Sequence, residues 1–212
     1  EVKTIKEILL KVDSLNIDKE IIVVDDGSTD GTVSVLQGIE LNSLKVVFHG
    51  SNRGKGAAFL TGLQHAQGEF VIIQDADLEY NPEEYIHLLQ AFDSNVDLVL
   101  GVRFTKGYHG LLIPRLGNRF LTSLLNVLFS ADLNDFLTCY KLFRREKLAQ
   151  MHLRSKSFDI DTEMVAKALK NKFLIKQVPI SYQPRTYRQG KKIRVSDGIH
   201  AIIAILKYRF FG

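Results

Sequence analysis

Apolar residues recur along this chain at two periods, and the two periods alternate. Val2, Ile5, Leu9 and Val12 fall at helical spacing. Glu20–Val24 then reads as a strand running into Asp25-Asp26-Gly27-Ser28, with a helix from about Asp30. Leu44–Phe48 is a second strand, and Lys55–Gln67 a helix broken into by Gly62 and ended near Gly68. Phe70–Gln74 is a third strand, buried along Phe70-Val71-Ile72-Ile73. Pro82–Asp93 is a helix capped by Asn81, with Pro82 at its first position. Asp97–Gly101 is a fourth strand. Such alternation predicts an α/β fold, a mostly parallel sheet with helices on both faces. A sheet of this kind usually opens with a strand, whereas this chain opens with a helix. Either a first strand is missing or the fold begins elsewhere.

The pattern changes after Gly101. Thr105–Gly110 is a glycine-containing loop, and Leu111–Leu133 is rich in Leu and Phe with few charges. Tyr140–Phe143 reads as an antiparallel edge strand and Asp161–Lys170 as a helix. Leu174–Tyr182 reads as a strand with Pro179 at its edge. Gln183–Lys192 is a basic loop, and Val195–Phe211 a strongly apolar closing helix. No linker or repeat interrupts the chain, so residues 1–212 are expected to form a single domain.

Composition narrows the class. The chain's 212 residues are 45% hydrophobic and 25% charged, as in an ordinary globular domain. Cys139 is the only cysteine, which excludes an intrachain disulfide and fits a reducing compartment. The net charge of +4 favours anionic partners: nucleic acid, phosphorylated substrates or an acidic membrane surface. No signal peptide is expected. The longest apolar run, Phe120–Ala131, is too short to span a bilayer and contains Asn126.

Three segments carry candidate chemistry. Asp75-Ala76-Asp77 sits just past the carboxyl end of a strand, where open α/β sheets bind ligands. Two carboxylates there repel unless a cation joins them, and hard oxygen ligands suit Mg²⁺ or Mn²⁺ on a substrate's phosphates. The same residues also favour plain turns. Asp25-Asp26-Gly27-Ser28 can set a carboxylate against a base or ribose hydroxyl, or simply join a strand to a capped helix. Asn52-Arg53-Gly54-Lys55-Gly56 offers glycines that admit a phosphate and a lysine near a helix N-terminus, without Walker A spacing. A solvated loop is the plain alternative.

In this order the three segments resemble the family 2 glycosyltransferases of GT-A fold. Gly101-Val102-Arg103, Thr138–Arg145, Arg185-Thr186-Tyr187 and Gly190-Lys191-Lys192-Ile193 extend the resemblance toward the dolichyl-phosphate mannose synthase branch, which includes prokaryotic polyprenyl-phosphate sugar synthases. The resemblance implies a metal-dependent, inverting transfer of a hexose from GDP-mannose or a UDP-sugar to a dolichyl or undecaprenyl phosphate. Asp75, Ala76, Asp77, Asp25 or Asp26, and Lys55 would bind the nucleotide sugar. Asp75 and Asp77 would hold the metal, with Glu79 completing its shell. Arg103, Arg115 or Arg119, Arg185 and Lys192 would gather the acceptor phosphate, and Asp77, Arg103 and Arg185 would carry the catalysis. The family opens with an apolar strand and a Pro-x-Tyr-Asn-Glu-like segment, of which Glu1 looks like the last residue. In related enzymes acting on sugar hydroxyls a base sits at an acidic helix start comparable to Phe158–Glu163. With a phosphate acceptor that role lapses, and Asp161 is expected to be structural or close to the metal.

A lipid acceptor implies interfacial helices at about 111–130 and 195–211 and a peripheral place on the cytoplasmic face of a membrane. Nucleic acid is not an expected partner. The alternatives are transfer to a saccharide hydroxyl and a silent binding module of the same fold. A nucleotidyltransferase is disfavoured, since no glycine-rich arginine loop lies near a first strand.

Overall fold

The computed structural model describes residues 1–104, 112–185 and 195–211, the last segment from its backbone alone at 195 and 196. The chain enters through α1 (Ile5–Asp13), whose Ile5, Ile8, Leu9 and Val12 form one buried stripe. β1 (Ile21–Asp25), α2 (Thr32–Gln37) and β2 (Leu44–Phe48) follow, and β1 pairs parallel with β2. Next come α3 (Lys55–His65), β3 (Phe70–Val71), α4 (Glu84–Gln90) and β4 (Leu98–Val102). α5 (Leu112–Phe129), β5 (Lys141–Arg144), α6 (Arg145–Gln150), α7 (Ile160–Lys170), β6 (Ile175–Pro179) and α8 (Val195–Phe210) complete the described chain.

Four strands share one sheet in the order β3-β5-β4-β6. β4 and β6 run parallel, while β5 is antiparallel to both of its neighbours. This corrects the expectation that Tyr140–Phe143 forms an edge. An interior strand needs apolar side chains on both faces, and β5 supplies them: Leu142 joins one core cluster and Phe143 the other. β4 is buried at every position and alternates in the same way. Val99 packs toward α1 and α4, and Leu98 and Leu100 toward α5, α7 and α8.

Local departures have local causes. The third strand pairs only at Phe70 and Val71, and beyond it Ile73 is held by a side chain, its carbonyl accepting from Cys139 Sγ at 3.4 Å. α3 runs unbroken through Gly62, which lies against Val24 of β1. α4 starts at Glu84 with Glu83 as its N-cap, two residues later than expected, and Asn81 Oδ1, accepting from the Glu83 N–H at 3.3 Å, closes the turn before it instead of capping the helix. α6 has too few apolar residues for its period to be legible.

α5 is apolar around most of its circumference. Asn118, Leu121, Thr122 and Leu125 face the core, while Ile113, Leu116, Phe120 and Val127 form a second stripe that is exposed. α8 repeats this with Ile199, Ile203, Leu206 and Phe210 outward and Ala204, Ile205 and Tyr208 inward. Among the described residues no helix is long and apolar enough to cross a membrane.

Candidate active site

The loop that leaves β3 is fixed from behind before it presents its carboxylates. Gln74 Oε1 accepts from the hydroxyls of Tyr85 at 2.8 Å and Tyr140 at 2.6 Å, and Gln74 Nε2 donates to the Asp75 carbonyl at 2.8 Å. With both ends of its amide committed, Gln74 sets the backbone direction at Asp75. Three residues on, Leu78 lies at φ 61°, a left-handed conformation uncommon for Leu. This bend costs on the order of 1 kcal/mol and turns Asp77 and Glu79 toward the same neighbour.

That neighbour is Arg185. Its Nη2 lies 2.8 Å from Asp77 Oδ2, and its backbone N–H donates to Glu79 Oε1 at 2.8 Å. Glu79 Oε2 accepts from the Tyr182 hydroxyl at 2.6 Å, and the Glu79 carbonyl from the Gln183 N–H at 2.9 Å. The chain that leaves β6 is therefore laced to the Asp77–Glu79 turn. Both oxygens of Glu79 are already engaged by protein groups, whereas among the described residues the Asp75 carboxylate pairs with Lys55 alone, at 3.4 Å.

Burial, and then the charge of Asp75, push the Asp77 carboxyl up to about 6. Two ionised oxygen donors that repel one another in a half-buried turn are the donor set that a hard divalent cation relieves. Among the described residues no group of three or more His, Cys, Asp or Glu forms a closed metal cage. The carboxylates thus fit an open site of the kind that a ligand's phosphate oxygens complete. The raised value has a sign. Below about pH 6 a proton occupies Asp77 and competes with the cation. Mn²⁺ affinity is expected to fall by up to about tenfold per pH unit below that point and to level off above it. Titration calorimetry from pH 5 to 8 checks this, and a flat profile would contradict it.

The two earlier motifs meet beside this turn. Asp25 is buried, with Oδ1 accepting from the Ser28 N–H at 3.0 Å. Asp26 accepts from the N–H groups of Arg53 at 2.9 Å and Gly54 at 2.8 Å, and lies 2.7 Å from His49 Nδ1. Burial opposes its ionisation, but these hydrogen bonds outweigh it and hold the carboxyl below the usual range. The N–H groups of Arg53 and Gly54 are therefore spent on protein. A Cβ on Gly54 would collide with the Lys156 carbonyl, and one on Gly56 with that of Ser155. The glycines of this segment admit the 155–157 loop, which is reason enough for them without a phosphate. What they deliver is Lys55, whose ammonium reaches Asp75.

Arg103 follows β4 and is held from within by a single carboxylate. Its Nε and Nη2 lie 2.7 and 2.8 Å from the two oxygens of Asp135, a carboxylate with no exposed surface. Its guanidinium also stacks 5.2 Å from the Tyr182 ring centroid, linking it to Glu79 through one side chain. Arg115 is half-buried and Arg119 exposed, both on α5. Lys192 lies outside the described residues. Lys55, Asp75, Ala76, Asp77, Glu79 and Arg185 thus share one neighbourhood, with Asp26 behind Lys55 and Arg103 behind Tyr182. Asp135, Gln74 and Tyr182 belong to no sequence motif, and Lys141, inside Thr138–Arg145, has no role that its motif states. Each was hidden because its partner is remote in sequence.

A cavity of about 620 Å³ opens beside the turn, lined by Glu1, Lys3, Asp30, Asp77 and Arg185 among others. Its volume suits a nucleotide-sized ligand. A carboxylate turn at the strand ends, backed by helices and flanked by such a cavity, is the arrangement of the GT-A glycosyltransferase fold. Glucosyl-3-phosphoglycerate synthase from Mycobacterium tuberculosis in complex with UDP matches 99% of this chain and 76% of its own, with a TM-score of 0.75 and 20% identity. The same enzyme with Mn²⁺, UDP and phosphoglyceric acid matches with a TM-score of 0.75 and 18% identity, covering 100% of this chain and 76% of the other. Residues 1–151 match the family described as Glycosyl transferase family 2, and the chain belongs to that family. Glycosyltransferase AglJ of Haloferax volcanii is 32% identical over 168 residues, covering 78% of this chain and 54% of that protein. Polyprenol monophosphomannose synthase of Mycolicibacterium smegmatis is 32% identical over 181 residues, covering 78% of this chain and 67% of its own length. The chain therefore spans about half to two thirds of these curated relatives.

Proposed function

We propose that this chain is the catalytic region of an inverting glycosyltransferase that moves a hexose from a nucleotide diphosphate to a polyprenyl phosphate. One observation carries the choice of acceptor. Asp161, at the acidic helix start, lies 3.1 Å from Lys55 Nζ and 2.8 Å from Lys141 Nζ. Burial opposes its ionisation, yet the two lysines hold its carboxyl down at about 2. A carboxylate so held is a poor proton acceptor at neutral pH, whereas a sugar hydroxyl needs one. A phosphomonoester needs none, because it carries a charge of about −1.5 to −2 at pH 7. The name of the Mycolicibacterium smegmatis relative supports the same acceptor class.

In this reading an acceptor phosphate oxygen forms the new bond to the anomeric carbon. The bond from that carbon to the diphosphate oxygen breaks, and the nucleoside diphosphate leaves with the electron pair. Asp75 and Asp77 would hold Mg²⁺ or Mn²⁺, which when bound neutralises the leaving diphosphate. Arg185 is the counter-cation of Asp77 in the free site and exchanges that carboxylate for phosphate oxygens. Asp25 and Lys55 line the nucleotide side, while Asp26 keeps the Lys55 loop in place. Glu79 orients Arg185 through its backbone N–H. Arg103, aligned by Asp135, faces the acceptor together with Arg115 or Arg119.

The test is to incubate the protein carrying this chain with GDP- and UDP-sugars and polyprenyl phosphate. An organic-soluble glycolipid released together with nucleoside diphosphate is the expected product. A water-soluble glycan made only from saccharide acceptors would overturn the acceptor assignment.

Peripheral binding to a membrane follows from the same acceptor. The outward stripes of α5 and α8 carry large apolar side chains, with Ile113 82% and Phe120 60% exposed. Arg115, Arg119, Lys207 and Arg209 supply charge for anionic headgroups. Each stripe side chain buried in lipid contributes about 1.5–3 kcal/mol. Leu116→Ser with Phe120→Ser is expected to abolish flotation with anionic liposomes while leaving the melting temperature unchanged. High salt is expected to weaken flotation of the parent. Leu124 and Phe129, from the same apolar run, pack partly against the core and suit this test less well. A folded double variant that floats like the parent would show the stripe to be inert.

A further inference from the structure

Beneath the Asp75–Asp77 turn lies a charge cluster in which Asp161 and Lys141 have no part in the transfer step itself. Lys55 Nζ stands between two carboxylates, 3.1 Å from Asp161 Oδ2 and 3.4 Å from Asp75 Oδ1. Lys141 Nζ lies 2.8 Å from Asp161 Oδ1 and also donates to the Thr138 carbonyl. Lys141 has no exposed side-chain surface, and Asp161 little. Lys55 opens α3, Asp161 lies in the first turn of α7 and Lys141 opens β5, while Asp75 follows β3. Four elements therefore converge on one small group of alternating charges. Each is remote from the others in sequence.

We propose that Asp161 is the positioning residue of the donor site: it shares the Lys55 ammonium with Asp75, so that Asp75 is only partly neutralised and remains available to a divalent cation. This rests on the reading of Asp75 and Asp77 as cation ligands. The argument is one of shared charge. A single ammonium cannot neutralise two carboxylates fully, and here its shorter contact is with Asp161. Lys141 supplies the second positive charge, and the α7 N-terminus adds to it, so Asp161 stays ionised although buried. If Asp161 loses its charge, Lys55 keeps only Asp75. Its ammonium then forms a full ion pair with the carboxylate that the cation needs. Asp161 thus acts on the metal without touching it, and it does so through Lys55.

The experiment measures binding of Mn²⁺ alone, from the electron paramagnetic resonance signal of the free ion, on the protein carrying this chain. Asp161→Asn is expected to weaken Mn²⁺ binding by about tenfold or more, as loss of an outer-shell partner does elsewhere. Adding Lys55→Met to that variant is expected to restore the parent's affinity, because the competing ammonium is gone. Asp161→Asn leaves Lys141 buried without its carboxylate, so the measurement is repeated with Asp161→Asn and Lys141→Met together, where the same weakening is expected. In transfer assays the loss should appear as a raised Mn²⁺ requirement and donor KM, with kcat recovered at saturating Mn²⁺. Unchanged Mn²⁺ affinity in both Asp161 variants would overturn the inference. So would weakening that Lys55→Met fails to reverse, or a kcat loss that Mn²⁺ cannot recover, which would mark Asp161 as a base. A parent protein that binds no Mn²⁺ overturns the metal reading and this inference with it. Failure to use polyprenyl phosphate alongside the expected Mn²⁺ pattern overturns only the acceptor assignment.

Discussion

Sugar transfer by the Asp77→Asn variant is expected to fall by roughly 10²–10³-fold, the loss typical when one preorganised electrostatic contact to a transition state is removed. The substitution keeps the shape of the side chain and its Oδ1, which accepts from the Glu79 N–H at 3.1 Å, so the turn should survive. What is lost is the charge. In the metal-free protein that charge is a burden, because burial and Asp75 raise the Asp77 carboxyl to about 6. A carboxyl raised on folding contributes stability at low pH, and the contribution is lost as pH rises through the folded value. At pH 8 the metal-free Asn variant is therefore expected to melt no lower than the parent, although it is nearly inactive. Chelator should silence the parent, and added Mn²⁺ or Mg²⁺ should revive it. A parent fully active in chelator, or an Asp77→Asn protein that transfers normally, would remove the carboxylates from the mechanism.

The second large effect is on stability. Asp135→Asn leaves the Arg103 guanidinium in place with its neutralising partner gone, in a pair whose side chains are 12% and 0% exposed. Breaking such a buried pair from one side costs about 3–5 kcal/mol, a large share of the roughly 5–15 kcal/mol that holds a domain of this kind folded. Urea denaturation measures the loss, and one below about 1 kcal/mol would class the pair with solvent-screened surface bridges. Arg103→Met combined with Asp135→Leu should recover most of the stability, because no charge is left unpaired. That double variant also isolates the role of Arg103 in transfer. A raised acceptor KM with little change in kcat is the expected result, since Arg185 remains at the carboxylate turn.

The chain's local periodicities were enough to read most of its elements, α6 excepted. α1, β2, α5, α7 and α8 each carry an apolar spacing that only one kind of element satisfies, and each forms close to where that spacing lies. The carboxylate turn was legible for a related reason: Asp75-Ala76-Asp77 follows an apolar run and precedes a helix, which puts it at the ligand-binding edge of a sheet whatever the rest of the chain does. The order of motifs carried the family.

Position within the sheet was not legible, because a strand's neighbours are chosen by distant residues. Tyr140–Phe143 has the same alternation at an edge or inside, and only packing of Leu142 and Phe143 into opposite core clusters made β5 interior. The division of charge within the site was hidden for the same reason. No spacing rule joins Arg103 to Asp135, Glu79 to Tyr182, or Lys55 to Asp161 across 106 residues. A charged side chain in a sequence is equally a solvated group, a ligand or half of a buried pair. Which it becomes depends on the cost of burying it alone, and that cost is set by whatever counter-charge folding brings within about 3–4 Å. The sequence therefore determined which residues could do chemistry at the sheet edge, and the tertiary structure decided which of them remain free to do it.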